Sequence, residues 1–161
     1  ECQTMSAEFL KLFSSRRMMI ENKPITQAKL FEDISNQLYQ EGFVKHDYCS
    51  RLLERESSYP TGLKLIACNV AIPHINNDEV LKSTIFVSKL GCPVEWHSME
   101  NPDEVLPVTL VFNICLAEKE KQVEVLSEIV ELIQKKEVTD CLMKCSNTDQ
   151  MMEVIRKEEN R

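Results

Sequence analysis

Apolar positions recur at helical spacing at both ends of the chain and as short β-branched runs in the middle. Met5, Phe9, Leu10, Leu12 and Phe13 precede Ser14-Ser15-Arg16-Arg17, which predicts a helix within 5–19 and an N-terminal extension or linker over 1–22. Thr26 can cap a helix start, and Leu30, Phe31, Ile34 and Leu38 follow at helical spacing until Gly42 stops the helix. A second helix begins near Asp47 and turns Tyr48, Leu52 and Leu53 inward. Arg51, Glu54, Arg55 and Glu56 in its last turn read as a solvated helix end. Ser57 to Gly62 is turn chemistry, with Pro60 fixing φ.

Five extended runs follow. Leu63, Leu65 and Ala67 alternate; Val70-Ala71-Ile72 is stopped by Pro73. Ser83 to Leu90 is a β-branched strand, and Pro93 to Trp96 predicts a short edge strand. After a polar loop over 99–107, Val108 to Leu116 is apolar on both faces and is expected at the centre of the sheet. Helices over 119–135 and 137–144 come next. A last helix carries Met151, Met152 and Ile155 behind a capping box at Ser146-Asn147-Thr148-Asp149. The expected fold class is α/β: a single domain over 23–161, with a mixed β-sheet sandwiched between helices on both sides.

Composition narrows the function classes. At 161 residues with 43% hydrophobic positions, the chain can bury one sizeable core. A net charge of −7 argues against nucleic acid or an anionic membrane as a partner. No apolar run is long enough to span a bilayer, and no signal peptide is read at the start. The chain does not begin with Met, so a cut form, a processed form or one domain of a longer protein is expected. The seven cysteines, Cys2, Cys49, Cys68, Cys92, Cys115, Cys141 and Cys145, form no C-x-x-C pair. They read as reduced thiols in a cytoplasm, several buried as small hydrophobes, rather than as a disulfide or zinc framework.

No phosphate loop, Gly-rich dinucleotide fingerprint, zinc-protease His pair or nucleophile elbow is present. What remains is a histidine at a strand end, His74, with Arg55 upstream. That set suits phosphoryl relay. A nucleophilic imidazole must be neutral near pH 7, and donors must neutralise the phosphoryl oxygens. Such a relay needs no cofactor or metal of its own.

Arg55-Glu56, Tyr59-Pro60-Thr61-Gly62-Leu63 and Ala71-Ile72-Pro73-His74 resemble the fructose–mannitol class of enzyme IIA domains of the bacterial sugar phosphotransferase system. The likeness runs on through Pro107 to Phe112 and over about residues 25–158, and the Tyr-Pro-Thr-Gly-Leu stretch is most similar to the galactitol-type branch. The resemblance implies that His74 accepts a phosphoryl group from phospho-HPr on Nε2. It then passes the group to a cysteine of a IIB partner, which serves a IIC membrane permease. It further implies that Arg55 stabilises the phosphoryl group. Two positions depart from the family pattern. Gln122 stands where many mannitol-type domains have a second histidine, and it could still donate a hydrogen bond. Ile75 replaces the common glycine after the active histidine. His46 and His97 match no family motif and read as surface or loop residues. The alternative is a IIA-like regulatory domain of a transcriptional regulator controlled by this system.

Overall fold

The computed structural model describes residues 5–75 and 78–160, and one mixed sheet runs through its centre. The strands are β1 (Met18–Glu21), β2 (Gly62–Lys64), β3 (Asn69–Ala71), β4 (Thr84–His97) and β5 (Val105–Cys115), in the order β1-β4-β5-β3-β2. β1 is parallel to β4 and β3 is parallel to β5, whereas β4–β5 and β2–β3 are antiparallel. The most apolar strand, β5, is the middle one, because only a middle strand can bury both of its faces.

Alternation along β4 and β5 divides the core in two. Ile85, Val87, Leu110, Phe112 and Ile114 face one side, with Val70 and Ile72. There they meet Ile129 and Ile133 of α4 (Gln122–Gln134), Leu142 of α5 (Lys136–Lys144) and Met151 and Ile155 of α6 (Thr148–Lys157). Phe86, Leu90, Trp96, Val108 and Val111 face the other side. They pack on Leu30, Phe31 and Ile34 of α2 (Gln27–Gln40) and on Tyr48 and Leu52 of α3 (Tyr48–Ser58). The expected sandwich is therefore present. Among the described residues no helix is long and apolar enough to cross a membrane.

Local chemistry sets the helix ends. The Thr26 hydroxyl accepts the Lys29 N–H at the start of α2. At its end Gly42 takes φ +80°, and the Gly42 and Phe43 amides bond back to the Tyr39 and Leu38 carbonyls. This is the paired arrangement that a glycine at C′ permits.

Several expectations need correction. The helix within 5–19 is only α1 (Ala7–Leu10); a 3-10 turn at Ser15–Arg17 leads into β1. Phe9, Phe13 and Met18 enter the core beside α4–α6, so the extension contributes an edge strand and core residues. Pro93 to Trp96 is not a separate edge strand: β4 continues through an irregularity between Lys89 and Val94 and pairs Trp96 with Leu106. Gly91 and Pro93 broke the pattern in the sequence, but the bulge absorbs them. The last helix is capped by Asn147, which accepts from the Gln150 N–H, while Gln150 accepts from the Ser146 N–H. The six described cysteines are unpaired, and Cys2 lies outside the described residues.

Gly62 is where β2 meets the β4–β5 turn. A Cβ there would lie 2.6 Å from the His97 carbonyl oxygen, which is backbone and cannot swing aside. Gly62→Ala is expected to destabilise the fold by about 1–3 kcal/mol, read as a lowered thermal midpoint. An unchanged midpoint would mean that this contact is loose.

Candidate functional site

His74 stands just beyond β3 on a support fixed by its neighbours. The Ile114 amide donates to the Pro73 carbonyl at 2.9 Å, and His74 forms a parallel bridge to Ile114. Ile75 is buried in the core cluster beneath α2 and α3 and anchors the chain just past the histidine. The ring itself is held at Nδ1, which donates to the Ile72 carbonyl at 2.7 Å. A carbonyl can only accept, so the proton is on Nδ1 and the lone pair is on Nε2. Burial pushes the His74 pKa below 6.5 and the nearby Arg55 charge adds to this, against the opposing bond to Ile72. The ring is therefore neutral at pH 7.

His74 lines an open cleft of about 300 Å³ together with Arg55, Tyr59, Thr61, Met99 and Pro102. Arg55 comes from the last turn of α3 and lies over the face of Tyr59, 4.0 Å from the ring centroid. A guanidinium resting on an aromatic face keeps its N–H fork free for an anion. Pro102 is positioned by His97, whose Nδ1 donates to the Pro102 carbonyl at 2.7 Å. His97 is thus an exposed strand-end residue that ties down one rim of the cleft. His46 is exposed and faces Asp47. Gln122 is half-buried at the first position of α4 and does not line this cleft.

Glu56 is not part of a solvated helix end; it is only 5% exposed. Its carboxylate accepts from the Thr61 amide at 2.7 Å and from the Thr61 hydroxyl at 2.6 Å. Burial pushes its pKa up from 4.5 to about 7, against the Thr61 donors and Arg55. The Trp96 indole N–H also favours the carboxylate, although it makes no hydrogen bond of good geometry. The signal was in the periodicity: Tyr48, Leu52 and Glu56 are spaced four apart on the buried face of α3. Among the described residues no group of three or more His, Cys, Asp or Glu could hold a metal ion.

Comparison with known proteins places the chain among its relatives. The family model described as "Phosphoenolpyruvate-dependent sugar phosphotransferase system, EIIA 2" matches residues 11–158. The galactitol-specific EIIA component of Escherichia coli strain K12 is 23% identical over 133 residues, which are 83% of this chain and 87% of that protein. The transcriptional regulator ManR of Bacillus subtilis is 29% identical over 93 residues, 58% of this chain but only 13% of that protein. Among solved structures, the complex of enzyme IIA and phosphorylated enzyme IIB for mannitol from Escherichia coli contains a chain with the same fold. It superposes with a TM-score of 0.73 at 21% identity, covering 90% of this chain and 97% of that one.

Proposed function

Because the chain belongs to the EIIA 2 family of the phosphoenolpyruvate-dependent sugar phosphotransferase system, we propose that His74 is its phosphoryl carrier, loaded by phospho-HPr and discharged onto a cysteine of a IIB partner. The observation that carries this reading is the ring geometry: Nδ1–H is committed to the Ile72 carbonyl, and Nε2 keeps its lone pair beside Arg55 in an open cleft. The Nε2 lone pair attacks phosphorus. The N–P bond forms as the bond from phosphorus to the donor breaks, and that electron pair leaves with HPr. The ring gains positive charge in the process, and the Ile72 carbonyl on Nδ1–H stabilises it. Arg55 faces the negative charge on the phosphoryl oxygens. In the second transfer a cysteine thiolate attacks, an S–P bond forms, and the electron pair returns to Nε2.

The reading places the domain in the cytoplasm, serving a IIC permease. The likeness to the galactitol component favours a galactitol-type system. Incubation with enzyme I, HPr and labelled phosphoenolpyruvate tests it. An acid-labile label on the chain is expected, and its absence would sink the proposal.

A net charge of −7 suits docking on a basic HPr surface. The second-order transfer rate is expected to fall roughly tenfold between about 0.05 and 0.5 M salt, as Debye screening shortens the steering field. A rate independent of ionic strength would remove charge steering from the account.

A second reading is favoured by the likeness to ManR: the same histidine would report sugar supply from within a longer regulator. The full-length gene separates the two, because a regulator carries nucleic-acid-binding sequence outside this domain.

A further inference from the structure

Glu56 and Thr61 form a buried pair at the wall of the His74 cleft, and the phosphoryl chemistry above does not use it. Both residues are almost fully buried, at 5% and 4% exposure. The Thr61 amide donates to Glu56 Oε2, and the Thr61 hydroxyl donates to Oε1 at 2.6 Å. The Thr61 carbonyl accepts from the Ile72 amide, and Ile72 is the residue whose own carbonyl holds the His74 ring. Thr61 is therefore fixed relative to His74 and lines the same cleft. As long as Glu56 is ionised, the Thr61 hydroxyl proton is committed to it.

We propose that Glu56 and Thr61 are a proton-gated clamp for the phosphoryl group on His74. When His74 is phosphorylated, Glu56 takes up one proton from solvent on Oε1. Its new O–H donates to Thr61 Oγ1, and the Thr61 hydroxyl turns to donate to a phosphoryl oxygen. Oε2 keeps its bond from the Thr61 amide, so the backbone does not move. When the phosphoryl group leaves, Glu56 releases the proton and the hydroxyl returns. This inference rests on the phosphocarrier reading of His74 and goes beyond it.

Three features support the device. The 2.6 Å Oε1–Oγ1 separation serves a hydroxyl donating in either direction. The groups acting on Glu56 are the Thr61 amide and hydroxyl, the Trp96 indole on β4 and the Arg55 guanidinium on its own helix. Arg55 also acts on His74, which puts both titrating groups in one electrostatic neighbourhood. Finally, Glu56 in the unphosphorylated chain titrates at about 7. The negative charge of a phosphoryl group nearby raises it further, into the range where a proton is taken up at neutral pH.

The test uses the whole chain, loaded by enzyme I, HPr and phosphoenolpyruvate at pH 7.5. Infrared difference spectra should show a carboxylic-acid carbonyl band on phosphorylation of the wild type, absent from Glu56→Gln. Thr61→Val should shift the phosphoryl equilibrium toward HPr by about tenfold, and Thr61→Ser should restore it. The infrared band reports protonation, which a merely structural Glu56 would not change. If Glu56→Gln does not fold, the wild-type band and the Thr61 pair still decide. A wild type that labels on His74 without the band, or a Thr61→Val equilibrium equal to wild type, overturns the clamp and leaves the carrier reading standing. Failure of the wild type to label removes both.

Discussion

Replacing His74 by alanine is expected to abolish phosphoryl loading, with the acid-labile label falling to background while the circular dichroism spectrum stays that of the wild type. The ring is half-buried at the rim of the sheet, so its loss removes little packing. His46 and His97 give no second route. His46 is on the surface beside Asp47, and neither His46 nor His97 lines the cleft that holds Arg55. A label surviving in His74→Ala would show that another residue carries the phosphoryl group. The same chemistry fixes a pH dependence. Protonation at Nε2 removes the attacking lone pair, so loading should be fast above the His74 pKa and fall as pH drops through it. Burial and Arg55 place that pKa below 6.5, so the acid limb should lie lower than for an ordinary histidine. A limb at or above 6.5 would mean that the ring is better solvated than the cleft geometry implies.

Much of this site was legible because its parts are close in sequence and chemically distinctive. Pro73 ends a strand and presents a histidine; the Pro-Thr-Gly turn and Arg55 lie just upstream. The β5 strand was legible for a different reason, its apolarity on both faces. What failed did so by tertiary override. Glu56 sits among charged neighbours in the sequence, yet it shares a helix face with Tyr48 and Leu52, and Thr61 supplies the hydrogen bonds that make its burial tolerable. β1 was hidden because Met18–Glu21 is a short edge strand whose partner, β4, lies more than sixty residues away. Nothing local distinguishes such a strand from the end of a helix. The long β4 reads as two runs in the sequence because a proline and a glycine look like breaks, whereas a bulge accommodates both.

Buried ionisable groups rarely persist for stability alone, and Glu56 illustrates the cost. Its folded pKa of about 7 lies above the ordinary carboxylate value. The folded state therefore holds its proton more tightly than the unfolded state, and stability falls as pH rises from about 4.5 through 7. The penalty at higher pH is of the order of a few kcal/mol, at 1.4 kcal/mol per unit. A chain selected only for stability would place an apolar residue there. Retaining a carboxylate behind Thr61, which lines the His74 cleft, fits a group whose protonation state is used.

Arg55→Ala is expected to slow phosphoryl transfer by about a hundredfold to a thousandfold, the scale for losing one preorganised charge donor to a developing oxyanion, while the fold stays intact. The structural loss is small. Arg55 is half-buried and rests on the exposed ring of Tyr59, a contact worth about 0.5–1 kcal/mol at such a site. The electrostatic loss is larger, because no histidine stands at Gln122 and Gln122 does not line the cleft. Arg55 therefore supplies the cleft with its fixed positive charge. Its removal should also leave a trace in the pH profile. Arg55 pushes the His74 pKa down, so Arg55→Ala should move the acid limb of loading to higher pH, and Arg55→Lys should move it back. The lysine variant should still recover only part of the rate, because an ammonium cannot grip two phosphoryl oxygens as a guanidinium fork does. Single-turnover transfer from phospho-HPr across pH 5–8 reads both effects at once. If Arg55→Ala slows transfer without moving the limb, Arg55 acts on the partner rather than on His74; if it unfolds the chain, its role is structural.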